Sequence, residues 1–355
     1  MKWSLWLAVW ALAGAGVATA ADWRWQLPRG FPPPAVPADN PMSQAKVDLG
    51  RLLFSETRLS VSGDFACSSC HDPERAYTDG RKSAVGAQGG TLRRNAMTLT
   101  NVAYNTGFEW ASDRVASLEQ QMLTPLLNDH PVEIGLAGRE AQVLARLAAE
   151  PAYAEGFAAA FAQDAQPVTL VNLVRAIAAF ERTLIVGRSA FDRYVFDDDR
   201  VAMSAEARRG MALFYSERAR CGHCHSGLNF QGPPRTAADP QAQPIFANTG
   251  LYNADGHGGY PLADRGLMEV TQRRKDNGRF RVPTLRNVAL TAPYMHDGSV
   301  ATLAAVIDHY SRGGRERPAA AVKLTDPLIR PLRLTQREKA DLQAFLQSLT
   351  DAGFP

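Results

Sequence analysis

Apolar residues along this chain recur mostly at helical spacing. In the stretch 42–54, Ala45, Val47, Leu49, Leu52 and Leu53 form a stripe, and Ser43 stands ready as its cap. The stretches 140–162 and 168–185 read as amphipathic helices built mostly of Ala, Leu, Val, Arg and Phe. Residues 204–215 and 301–310 read as further helices, and 335–349 as a last one in which Thr335 caps and Glu338 follows three residues on. Residues 117–127 are predicted helical up to a break at Pro125. Between these elements lie long polar segments: a glycine-rich loop over 81–95, without the strand and helix a nucleotide site needs, and the Gly, Pro and Asn clusters of 226–281. Alternating strand patterns are nearly absent, so the class is mainly α with few strands. One motif repeats: Gly50-Arg51-Leu52-Leu53-Phe54 and Gly210-Met211-Ala212-Leu213-Phe214 each end a predicted helix, which points to two related domains, 42–195 and 200–355. The acidic run Asp197-Asp198-Asp199 marks 191–200 as the linker between them.

The N-terminus changes the picture in one respect. Lys2 precedes an apolar core from Leu5 to Val17, and Ala18-Thr19-Ala20 supplies small residues at a cleavage site. The apolar run is shorter than the roughly 20 residues a membrane span needs. Residues 1–20 are therefore predicted to be an export signal, and the mature chain periplasmic. Residues 21–41 hold Trp23, Trp25 and six prolines (28, 32, 33, 34, 37 and 41), a composition for an extended arm packed on the body. The remaining length, about 335 residues, exceeds one ordinary core and fits two domains. Formal net charge is +3 for the whole chain, which gives no case for nucleic acid or an anionic membrane. Arg273-Arg274-Lys275 reads as a solvated loop.

The chemistry lies in the cysteines. Cys67-Ser68-Ser69-Cys70-His71 and Cys221-Gly222-His223-Cys224-His225 use all four cysteines of the chain. Two thiols three apart share one face of a helical turn and can both form thioethers to a porphyrin edge, while the next residue offers an imidazole to iron. The prediction is two covalent haem c groups, with His71 and His225 as proximal ligands. A simple electron carrier would add a second strong ligand to each iron. The 35 residues after the first motif hold no histidine, and their one thioether, Met97, reads as core filler.

Other segments are similar to the di-haem cytochrome c peroxidase and MauG family: Arg94-Asn95, Asn101-Val102-Ala103-Tyr104-Asn105, Trp110, Leu118-Glu119-Gln120-Gln121, Pro125, Pro131-Val132-Glu133, and Pro283 through Gly298. The similarity spans roughly Pro41 to Gly314. It implies two cytochrome c-like haem domains, with Glu133 as the distal acid–base residue above the first haem. A carboxylate there can take a proton from one peroxide oxygen and return it to the other. The resemblance also implies Gln121 as a pocket partner, Pro125 as a wall, and Trp110 as a relay between the haems. This chain carries two extra residues between Pro125 and Glu133, which leaves His130 near the pocket. Family peroxidases take a methionine fourteen residues after the signature histidine; counting from His296 gives Tyr310, which matches MauG instead. Asn95, Thr291 and Pro293 fall on positions that hold calcium in the family.

The opening Trp23-x-Trp25-x-Leu27-Pro28-x-Gly30-Phe31 and the segment from Ala96 to Asn105 look like the methanobactin-associated branch (MbnH-like). That likeness implies that hydrogen peroxide drives oxidation of a residue, Trp to kynurenine, on an exported copper-binding partner of the MbnP-like kind. Two alternatives stay open: a cytochrome c peroxidase supplied by a small electron donor, and an electron-transfer dihaem cytochrome.

Overall fold

The computed structural model describes residues 23–315, 324–351 and 353; the predicted export signal lies outside them. Its helices are α1 Gln44–Phe54, α2 Cys67–Cys70, α3 Leu118–Leu127, α4 Glu140–Ala148, α5 Pro151–Ala160, α6 Leu170–Glu181, α7 Ala190–Phe196, α8 Ala205–Phe214, α9 Cys221–Cys224, α10 Met268–Thr271, α11 Leu303–Arg312 and α12 Gln336–Gln347. The one sheet pairs β1 Phe246–Ala247 with β2 Phe280–Arg281, antiparallel, Phe246 opposite Arg281. The fold is mainly α, as the spacing predicts.

Two helix pairs carry most of the packing. Helix α1 lies against α6 in a core that includes Leu49, Leu53, Phe54, Phe157, Ile177 and Phe180. Helix α8 lies against α12 in a second core with Phe214, Phe230, Ile307, Leu342 and Phe345. The repeated glycine explains both crossings. A Cβ on Gly50 would stand 2.0 Å from the Ala176 carbonyl oxygen and 2.9 Å from Phe180 Cβ; one on Gly210 would stand 1.9 Å from the Asp341 carbonyl oxygen and 2.9 Å from Phe345 Cβ. Only glycine lets the backbones come that close.

A second repeat, not recognised from sequence, ties each pair to the body. Leu99-Thr100-Asn101-Val102-Ala103 and Leu285-Arg286-Asn287-Val288-Ala289 each place an asparagine in the left-handed region that opens a 3₁₀ turn. Asn101 N–H donates to Leu184 O (2.8 Å), and its side-chain oxygen accepts from Val186 N–H (2.7 Å). Asn287 N–H donates to Leu349 O (3.2 Å), and its side-chain oxygen accepts from Asp351 N–H (2.8 Å). One asparagine thus secures the exit of α6 and the other that of α12.

Three expectations change. The stretch 140–162 is two helices, because Pro151 takes the first position of α5 and Glu150 before it is extended. Helix α3 runs through Pro125 to Leu127; a proline so near the end removes only one late hydrogen bond. The segment expected as linker is largely α7, opened by a Ser189–Asp192 capping box, with Phe191 buried in the second core. Asp192 Oδ2 accepts from buried Arg286 Nη1 at 2.9 Å, and that guanidinium also lies 4.8 Å from the Phe31 ring of the extended arm. The arm packs Trp23 and Trp25 edge to face on the first core, and Pro34 bridges to Thr236.

Gly50→Ala or Gly210→Ala should therefore lose about 1–3 kcal/mol from overpacking despite alanine's higher helix propensity. Gly90→Ala, where a Cβ meets nothing within 4 Å, should be neutral. Thermal unfolding of the three variants checks this.

Candidate functional site

Each cysteine motif forms a single helical turn, α2 or α9, capped by its histidine. His71 N–H donates to Cys67 O (3.0 Å) and His225 N–H to Cys221 O (2.9 Å). The chain then turns so that an aromatic residue presents its carbonyl to the imidazole. His71 Nδ1 lies 3.0 Å from Tyr77 O, and His225 Nδ1 lies 2.8 Å from Phe230 O. A carbonyl can only accept, so Nδ1 carries the proton and Nε2 keeps its lone pair for a metal. Burial pushes both imidazoles below their usual range, which keeps them neutral. The repeated phenylalanine supports each carbonyl from behind: Phe54 packs on Tyr77 (6.0 Å) and Phe180 (5.3 Å), and Phe214 on Phe230 (6.3 Å) and Phe345 (5.1 Å).

The four cysteines form no disulfide. Burial pushes the Cys67 and Cys221 thiols up to about 12. Burial, followed by the charges of Asp79 and Glu133, does the same for Cys70. Thiols held protonated in this way suit thioether attachment better than a thiolate metal cluster.

A cavity of about 250 Å³ opens beside the second anchor. Cys221, Cys224 and His225 line one side; Trp110, Asn95 and Met97 line another; Tyr310 enters from α11. Tyr310 makes no side-chain hydrogen bond among the described residues, and burial pushes its phenol above the usual range. Met295 lines the same cavity, at a left-handed φ of 73°. Trp110 is fixed at both ends. Its Nε1–H donates to Asn95 O at 2.9 Å, and its carbonyl accepts from Arg281 N–H at 2.8 Å.

The other predicted residues gather at α3. Gln121 and Pro125 are four apart and share a face. Ile134 N–H donates to Pro125 O (3.0 Å) and Leu136 N–H to Leu126 O (2.8 Å), so the segment carrying Glu133 lies against the end of this helix. Burial, then the charge of Glu109, pushes the Glu133 carboxyl above the usual range. Glu109 itself accepts from Thr124 Oγ1 at 3.2 Å. The sequence reading missed Glu109, although it adjoins Trp110. The two extra residues are taken up in a tight turn bridging Asp129 and Val132. His130 is 90 % exposed there beside Asp129, so it points to solvent and not into the pocket.

Asn95, Thr291 and Pro293 line the same cavity. Asn95 is a junction: its N–H donates to His296 O (2.8 Å) and its Nδ2 to Arg81 O (2.7 Å).

Comparison with known proteins places this arrangement. The family model described as di-haem cytochrome c peroxidase matches residues 44–200. A cytochrome-c peroxidase, IdrP1, of Denitromonas iodatirespirans is 38% identical over 97% of this chain and 92% of its own. The chain belongs to the di-haem cytochrome c peroxidase and MauG family. The methylamine utilization protein MauG of Methylorubrum extorquens is 34% identical over 96% of this chain and 90% of its own. The crystal structure of a MauG-like protein associated with microbial copper homeostasis is 42% identical, covers 93% of this chain and 96% of its own, and superposes with a TM-score of 0.89. The family is one of haem-dependent oxidoreductases, with two haem c groups.

The residues present fit that cofactor, and one of them asks for it. Arg281 is 4% exposed and lines the cavity, yet no carboxylate pairs with it among the described residues. Its guanidinium has only long contacts, to Glu109 O (3.3 Å), Gln231 Oε1 (3.4 Å), Val282 O (3.4 Å) and Met97 Sδ (3.7 Å). Burial pushes it down to about 10. A buried cation costs several kcal/mol unless an anion joins it. Haem carries two propionates, and Arg281 is placed to hold one. Removing a cation favours the oxidised metal, so Arg281→Met should lower the reduction potential of the haem at Cys221–His225, while Arg281→Lys keeps most of it. Spectroelectrochemical titration reads both.

Proposed function

We propose that the chain is an exported, periplasmic di-haem enzyme that uses hydrogen peroxide to oxidise a residue, tryptophan to kynurenine, on a partner protein. Haem c at the two anchors supplies iron that accepts oxidising equivalents from peroxide. His71 would hold the first iron through Nε2, its Nδ1 being engaged by Tyr77 O; the protein provides the rest of that pocket. Glu133, half-buried and under the charge of Glu109, moves a proton from one peroxide oxygen to the other. Gln121 and Pro125 border the same space from α3. Trp110, held by Asn95 and Arg281, relays electrons between the two sides. His225 and Tyr310, which line one cavity, would hold the second iron. Asn95, Thr291 and Pro293 bind calcium through amide and carbonyl oxygen, ligands that suit a hard cation.

The observation that carries this reading is Tyr310: a half-buried phenol that lines the cavity of the second anchor and has no hydrogen-bond partner among the described residues. A phenolate is anionic and hard and stabilises oxidised iron, which suits storage of an oxidising equivalent. The 42% likeness to a MauG-like protein associated with copper homeostasis supports an exported copper-binding partner, MbnP-like, as the substrate. No helix among the described residues is long and apolar enough to cross a membrane.

A second reading, a peroxidase fed by a small c-type cytochrome or cupredoxin, draws on the 38% identity to IdrP1 and on Met295 in the same cavity. Tyr310→Phe separates the two. It should change the absorption and EPR spectra of the second haem and abolish oxygen addition to the partner, read as mass; an unchanged second-haem spectrum sinks the phenolate assignment.

Glu133 must be ionised to accept a proton, so the rate of the peroxide reaction should rise with pH through its raised pKa. Glu109→Gln removes one cause of the elevation and should move that rising limb to lower pH. Stopped-flow rates across pH decide; a limb that stays in place removes Glu133 from the role.

A further inference from the structure

Beyond Trp110 the cavity wall continues into a set of rings that no part of the peroxide chemistry uses. Trp110 packs against a third apolar cluster containing Leu251, Tyr260, Phe280 and Val300, with Tyr252 at its edge. Phe280 lines the cavity and stacks on His296 at 3.6 Å between centroids. Tyr260 lies 5.5 Å from Phe280, and Tyr252 lies 5.2 Å from Tyr260, edge to face. Phe280 and Tyr260 are buried. Tyr252 is half-buried, and the residues after it, 254–257, are exposed. From the cavity that Trp110 and Phe280 both line, the rings Phe280, Tyr260 and Tyr252 therefore lead to the surface in steps of 5.5 and 5.2 Å, and electron transfer weakens steeply with distance.

The last ring differs from the others in one feature. Tyr252 Oη–H donates to Asp297 Oδ2 at 2.5 Å. Tyr260, by contrast, accepts from Leu251 N–H at 3.2 Å and faces no carboxylate hydrogen bond. A phenol that loses an electron becomes strongly acidic, so its oxidation is favourable only where the proton has somewhere to go. Asp297 is held for that purpose by Ser299 N–H, which donates to its Oδ1 at 3.0 Å. Arg315 lies 5.9 Å from the Tyr252 ring and acts in the opposite sense, but its guanidinium is exposed and bonded to Ser299 Oγ. The hydrogen-bonded carboxylate is the closer and less solvated of the two.

We propose that Tyr252 is the exit through which oxidising equivalents leave the interior and reach a tyrosine or tryptophan side chain on a docked protein. This deepens the proposed function and rests on it. In the step, Tyr252 gives one electron, by way of Tyr260, Phe280 and Trp110, to the peroxide-oxidised haem pair, and its phenolic proton passes to Asp297. The partner's side chain then gives an electron to the neutral tyrosyl while Asp297 returns the proton. Tyr252 is regenerated, and the partner carries the loss. Burial, with Asp297, pushes the resting phenol up to about 12, so the proton is present to be moved.

The test uses the holoprotein labelled with ring-deuterated tyrosine, mixed with hydrogen peroxide without partner and frozen for EPR. Wild type should show a tyrosyl signal that narrows on labelling, and Tyr252→Phe should lose at least tenfold of it while the Soret response to peroxide is unchanged. Asp297→Asn keeps the ring and removes the proton acceptor; it should lower the signal and lengthen the life of the oxidised state. Tyr194→Phe, outside the series, should match wild type. An intact Soret response with no tyrosyl signal, or with one that Tyr252→Phe leaves in place, overturns the exit and spares the proposed function. A wild-type Soret band that ignores peroxide overturns both.

Discussion

The placement of each proximal imidazole depends on a contact that involves no functional group: a helix backbone brought against another at a glycine. Gly50 meets the Ala176 carbonyl and Gly210 the Asp341 carbonyl, at distances no Cβ could share. That contact fixes where the helix ends, four residues later, in a phenylalanine. Phe54 and Phe214 then lie between the partner helix (Phe180, Phe345) and the residue whose carbonyl receives the histidine Nδ1–H (Tyr77, Phe230). Tyr77 and Phe230 both adopt left-handed φ, near 57° and 52°, which turns those carbonyls toward the rings. A shift in helix packing would reach the imidazole through two rings and one hydrogen bond. The orientation of each imidazole is set here by close packing at a distance, as dense interiors allow.

The same scaffold serves two anchors that are chemically unequal, and the difference lies in what each half places nearby. Near the first, Glu133 and Asp79 contribute negative charge beside Cys70, and Glu109 adds to the field at Glu133. Near the second, the cavity contains a phenol and an unpaired guanidinium, with Leu and Ile side chains making up much of the wall. An acidic, proton-handling environment on one side and an apolar one with an oxygen donor on the other suit different tasks. The duplicated helices supply sameness; the loops supply the difference, which is where functional residues tend to sit.

Much of this was legible along the chain. The cysteine spacing, the helical periods and the Gly-x-x-Leu-Phe repeat are local patterns, and local patterns survive in a one-dimensional reading. The break at Pro151 and the burial of α7 were not, because the first depends on which of two compatible helical frames wins and the second on Asp192 meeting Arg286 across the fold. The asparagine repeat is visible in retrospect as Asn-Val-Ala at 101 and 287, but its meaning lies in hydrogen bonds to segments more than 60 residues away. Arg281 was unreadable for a deeper reason. A charged residue is exceptional only when buried without its counter-ion, and neither burial nor pairing is a property of sequence.

Trp110 shows how these levels meet. In the sequence it is one tryptophan among six. In the fold its indole N–H is spent on Asn95, and its carbonyl on Arg281. Both partners have other obligations: Asn95 joins the Arg81 loop to the His296 segment, and Arg281 belongs to β2. The residue is thus held by backbone groups from two separated stretches, and no side chain alone determines its position. The relay role proposed for Trp110 needs its distance to donor and acceptor held steady through repeated oxidation. Main-chain hydrogen bonds to segments that are themselves fixed achieve this, because none of them changes charge when the indole does.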